Sequence, residues 1–261
     1  MGHNRVGTLP RTRRWNEVVG LLRTSPQEAA RVGAAVVEAA DNRFRRLAED
    51  PSLGYTFWLL TRVTWAARGQ DFIRELNRLG ISVSANSSAI DLISAVGDRV
   101  GREVAGYPWT GHFGDFAALA LRSALSATVA RQGPSLFESA AQDAQRAFRT
   151  YSTEARFGEL ARLFLGNFMS RALRSFVDRE LVNQVAPTSR LRSAADGAEF
   201  LAALDTHTHE AALIVERFAG QWYSKNNWET RGDIDRDQAQ RFITQGLRKL
   251  RSELRRGASP S

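Results

Sequence analysis

The sequence predicts an all-α protein, a compact bundle of roughly eight or nine helices behind a basic N-terminal arm. Three observations carry that expectation. Apolar residues recur at three- and four-residue spacing over long stretches. Helix-starting residues stand before several of those stretches. The single short alternating run, Ile81-Ser82-Val83-Ser84, is too isolated to build a sheet.

The elements follow in order. After an extended basic arm over 1–14, Trp15, Val18, Val19 and Leu22 give a short helix. Ser25-Pro26 with Glu28 places a cap and a first-turn proline before a helix carrying Val32, Val36, Ala39, Ala40, Phe44 and Leu47, which Asp50-Pro51 ends. Residues 55–65 are aromatic and aliphatic with little alternation, and length assigns them to a buried helix. The spacing stays helical over 71–79, with Gly80 as its C-cap. Asn86 or Ser87 opens a helix striped by Ile90, Ile93, Val96, Val100 and Val104, in which Gly97 and Gly101 permit a close crossing. An Ala-rich helix over 113–130 and another reaching 151 are separated by Gly133-Pro134.

Residues 154–182 form the longest periodic unit. Phe157, Leu160, Phe164, Phe168, Ala172 and Phe176 share one face, and Leu163, Leu173 and Val177 widen it, as in a central helix touched on several sides. The polar, turn-rich stretch 187–197 is a candidate subdivision of an otherwise single helical domain over 15–256. Phe200, Leu204, Ala211, Ile214, Phe218 and Trp222 mark the next helix. In the last, from about Asp235, Ala239, Ile243, Leu247, Leu250 and Leu254 fall within a sector of about 80° at 100° per residue.

Composition narrows the chemistry. The chain has 261 residues and no cysteine, which excludes disulfides, cysteine-ligated zinc, iron–sulfur clusters and a thiol nucleophile. Phosphate-binding Gly-x-x-x-x-Gly-Lys, dinucleotide Gly-x-Gly-x-x-Gly and nucleophile-elbow Gly-x-Ser-x-Gly motifs are missing. His207 and His209 stand about 200° apart on one helix, so they cannot share a metal. Asp205 and His209 have the spacing of a surface pair. The acids Asp233, Asp235 and Asp237 read as capping of the last helix rather than a calcium loop. No cofactor is expected.

The net charge is +8, and all but two of the 36 basic residues are arginine, a bias that fits a GC-rich bacterial genome. The excess sits at the two ends. Arg11, Arg13 and Arg14 border Trp15, while Arg241, Arg248, Lys249, Arg251 and Arg255 lie on the last helix outside its apolar sector. Such tips favour local docking through an end over a broad nucleic-acid-binding face, with their arginines offered to the phosphates of a nucleic acid or to an acidic partner. Two aromatic segments either plug helix junctions or suit a protein or nucleotide surface, the protein being another subunit or a second copy of the chain: Trp222, Tyr223, Lys225 and Trp228, with Asn226 or Asn227 closing the helix, and the loop Tyr107-Pro108-Trp109 near His112. No signal peptide or membrane span is read, so a cytoplasmic location is expected. The leading expectation is a non-enzymatic subunit or adaptor of a bacterial assembly, for which antiviral or mobile-element systems are one setting. A nucleic-acid-binding protein is the alternative. An enzyme with dispersed residues, His207 and His112 first among them, comes third.

Overall fold

A computed structural model describes residues 13–24, 29–107, 113–132, 139–184 and 193–256. Among them are twelve helices and no strand: α1 (Arg13–Thr24), α2 (Ala29–Ala39), α3 (Asp41–Ala48), α4 (Pro51–Ala66), α5 (Phe72–Arg78), α6 (Ala89–Ala105), α7 (Phe113–Gln132), α8 (Ala140–Thr150), α9 (Glu154–Gln184), α10 (Ala194–Ala211), α11 (Leu213–Thr230) and α12 (Arg236–Arg256). The all-α expectation holds, with more and shorter helices than the spacing suggested.

Local sequence explains several of the boundaries. Asp50 caps α4, its carboxylate accepting the Ser52 N–H at 2.8 Å while Pro51 takes the first helical position. Ser88 with Asp91, Ser139 with Gln142 and Ser193 with Asp196 form capping boxes that open α6, α8 and α10. Asp235 and Gln238 exchange the same pair of bonds at the start of α12. Gly80, at φ 77°, turns the chain after α5.

The core is an aromatic column. Phe57 on α4 stacks on Phe242 of α12 with centroids 4.7 Å apart, and Phe242 stacks in turn on Phe218 of α11 at 5.1 Å. Phe157 on α9 stacks on Tyr223 of α11 at 3.8 Å. Offset contacts like the first two add about 0.5–1.5 kcal/mol each beyond simple burial. The broad face read on 154–182 is buried throughout: Phe157, Leu160, Phe164, Phe168, Ala172 and Phe176 all lie in the core, so α9 is the central helix. It packs against α7, α10 and α11, while α12 lies across α2 and α4.

α9 and α11 cross at reciprocal glycines. A Cβ on Gly158 would run into the backbone carbonyl of Glu216, and one on Gly220 into that of Glu154. Each helix thus carries Glu-x-x-x-Gly at the crossing, Glu154 to Gly158 and Glu216 to Gly220.

Several expectations are corrected. The helix expected to run on to Asp50 breaks at Ala40, giving α2 and α3, and the one through 200–222 breaks at Ala212, giving α10 and α11. Ile90 is 76% exposed and does not join the stripe of α6, and Ile214 is exposed too. Gly97 makes the expected close approach, against the Arg122 side chain, but Gly101 faces open space. Asn226 and Asn227 do not close a helix. Their side chains donate to the carbonyls of Trp222 and Tyr223, at 2.7 and 2.9 Å, and α11 continues through them. Arg13 and Arg14 belong to the first turn of α1 rather than to an arm. The rest of the arm and most of 187–197 lie outside the described residues.

Candidate functional site

α11 ends in two consecutive left-handed residues, Arg231 at φ 53° and Gly232 at φ 88°. A Cβ at Gly232 would collide with the Trp65 indole, so glycine lets the turn seat directly on α4. Arg62 fastens that turn by donating to the Gly232 carbonyl at 3.0 Å and to Asp233, and Trp58 Nε1 donates to the Ile234 carbonyl at 2.9 Å. The seam between the end of α4, the α8–α9 turn and the end of α11 is left open as a groove of about 1110 Å³.

Trp65 forms its floor and Trp228 its rim, the latter 86% exposed. Arg68 lies over the Trp65 ring at 4.5 Å. Arg68, Arg149 and Arg231 are exposed around the groove, and none has a carboxylate within 4 Å among the described residues. Glu229, on the same wall, is 3.8 Å from Lys225. An exposed indole among unpaired guanidiniums can hold an apolar or aromatic group next to negative charge.

The other residues nominated for partner contact have different places. Tyr223 is 1% exposed, stacked on Phe157 with its hydroxyl 3.3 Å from Thr64 Oγ1, and burial pushes it up to about 12. It is core rather than surface. Trp222 is half-buried against Phe57 and Phe242 and borders a smaller cleft of about 420 Å³ with Lys225 and Arg241. Tyr107 donates to Glu103 at 3.2 Å. Glu103 also accepts from Arg99 and Arg236, at 3.0 and 2.6 Å, and Arg236 lies over both Tyr55 and Trp58. Burial alone would raise the Glu103 carboxyl, but the bonds from Arg236 and Arg99 outweigh it and hold it below the usual range. Trp109 and His112 lie outside the described residues.

The arginines of α12 do not form one free stripe. Arg251 and Arg255 turn back onto Asp41 of α3, the latter at 2.5 Å, and Arg45 reaches the same carboxylate at 2.7 Å. Burial would raise Asp41, yet Arg251, Arg45 and Arg255 together hold it low. Lys249 lies 5.4 Å over the Phe218 ring. Arg248 is exposed with no carboxylate in reach among the described residues, as is Arg241. Arg11 lies outside the described residues, and the side chains of Arg13 and Arg14 are likewise not described.

Among the described residues the histidines form no dyad. His209 Nδ1 meets the Asp205 carbonyl at 2.9 Å, while the Asp205 carboxylate is taken by Arg174 and Ser170. His207 Nε2 is buried without a hydrogen-bond partner. Among the described residues no group of three His, Asp or Glu side chains is placed to hold a metal ion. No helix there is long and apolar enough to cross a membrane.

Comparison of the chain with known protein families, with curated proteins and with solved structures finds no match.

Trp65, Arg68, Arg149 and Arg231 escaped the reading of the sequence. They come from three places, the end of α4 and the turn after it, α8, and the end of α11, and only the fold brings the first two to Trp228.

Proposed function

We propose that the chain is a non-enzymatic cytoplasmic subunit that docks on a partner protein through the Trp228 groove. The observation that carries this reading is Trp228 itself. It is 86% exposed while the other aromatic rings of its helix pack inward, and leaving so large a side chain in water has no use within the monomer. The arginine rim selects the partner's chemistry: a segment that presents an apolar or aromatic side chain flanked by carboxylates.

The test is recovery of partners by the tagged full chain from its native host, with and without nuclease, beside Trp228→Ala and Arg149→Glu. A stoichiometric protein that survives nuclease and is lost with both variants is expected. Truncating a hot-spot indole costs about 2 kcal/mol or more, roughly a thirtyfold loss of affinity. Trp228→Ala should leave the thermal midpoint unchanged. Capture that is indifferent to both variants, capture of nucleic acid alone, or recovery only of a second copy of the chain would overturn the reading.

A further inference from the structure

The pocket between α3 and α12 lies outside the Trp228 groove and has a different chemistry. It holds about 580 Å³, and its walls carry Arg45, Arg248, Arg251, Arg255 and Arg256 against Asp41 and Glu49. One carboxylate, Asp41, gathers Arg45, Arg251 and Arg255. A single negative charge cannot neutralise three guanidiniums, and Arg251 Nε is still buried with no acceptor. Arg248 adds a fourth guanidinium that no described acid balances, and Arg256 is 3.7 Å from Glu253. Among the described residues no aromatic ring lines the pocket.

We propose that this pocket grips the sugar–phosphate backbone of double-stranded nucleic acid, without reading its sequence. The spacing favours a polymer over a single phosphate. Arg248 and Arg255 are seven residues apart on α12, about 10 Å along the helix, too far for one phosphate and within reach of successive phosphates of one strand, which advances about 3.4 Å along the duplex axis per phosphate while winding around it. Guanidinium forks match phosphate oxygens, and the lack of a stacking ring leaves the bases unread. Asp41 plays two parts: it converges the arginines, and it competes with the incoming phosphate for them.

The experiment is fluorescence anisotropy of a labelled mixed-sequence DNA duplex with the full chain across a salt series. Three or four phosphate contacts give a slope of log affinity against log salt near about −3. Arg248→Gln and Arg45→Gln, both exposed, should each weaken binding about fivefold and flatten the slope by about one, with circular dichroism unchanged. Arg74→Gln on α5 is the control and should bind as the parent does. Asp41→Asn should bind more tightly while lowering the thermal midpoint, opposite signs that a purely structural cluster does not produce. Four results would overturn the proposal: no binding at low salt, a flat salt dependence, equal weakening by Arg74→Gln, or displacement of the duplex by inorganic phosphate or polyglutamate as effective as by unlabelled duplex.

Discussion

Arg231 holds a backbone conformation that L-residues other than glycine and asparagine seldom adopt, at an expense of about 1 kcal/mol. Its neighbour Gly232 shows that the chain places glycine where it is sterically needed, so an arginine one residue earlier is an outlier that calls for a use. The groove supplies one. Arg231→Gly should therefore raise the thermal midpoint by roughly 2–4 °C and weaken the partner captured through Trp228, an opposition read by calorimetry and by pull-down. A rise in stability with capture intact would remove Arg231 from the site. At this scale the sequence was partly legible. It drew attention to the Trp222–Trp228 segment, but helical rotation sends Tyr223 inward and Trp228 outward, and only the neighbours of α11 decide which ring faces water. It also grouped the arginines of α12 by charge, without showing that Arg251 and Arg255 are drawn back by a carboxylate some two hundred residues earlier in the chain.

Helices whose apolar period is long were legible: α9 and α12 have the expected buried faces, and Asp235 caps α12 as its acids suggested. The other caps were not: Asp50, read as an end, starts α4, Ser88 rather than Asn86 or Ser87 opens α6, and Ser139 and Ser193 open α8 and α10 from stretches read only as turns. The breaks at Ala40 and Ala212 were not. Alanine is the best helix former, so nothing local interrupts the pattern there, and both residues are buried in the core. The crossing of α9 and α11 was also silent, because a Glu-x-x-x-Gly on one helix has no meaning until its counterpart is opposite. Gly158→Ala and Gly220→Ala should each cost about 2–3 kcal/mol by pushing the helices apart. The double variant should cost less than the sum, since one separation relieves both clashes. Urea unfolding of the four proteins measures this, and additive losses would mean the two glycines act separately.

Across the whole molecule, ionisation sets the pH limits of the fold. Tyr55 and Tyr223 are both pushed up to about 12 by burial. In the unfolded chain they lose their protons near pH 10, so stability is intact below that value and falls as pH rises from about 10 to 12. Asp41 and Glu103 are held below their ordinary range by arginines. Their contribution is present above the unfolded carboxylate range and is lost as pH falls through their folded values. Urea midpoints measured across the pH range should thus show a plateau that falls at both ends. Tyrosinate absorbance should show Tyr55 and Tyr223 ionising only as the fold is lost, and Tyr55→Phe with Tyr223→Phe should blunt the alkaline fall. The position of α12 has a further consequence, for biogenesis. It supplies Phe242, the ring between Phe57 and Phe218, yet it is the last described helix to be synthesised. A nascent chain whose α12 is still inside the ribosomal tunnel presents the stacking faces of Phe57, Phe218 and Trp222 to solvent. The stacked column of Phe57, Phe242 and Phe218 therefore closes only once α12 has emerged.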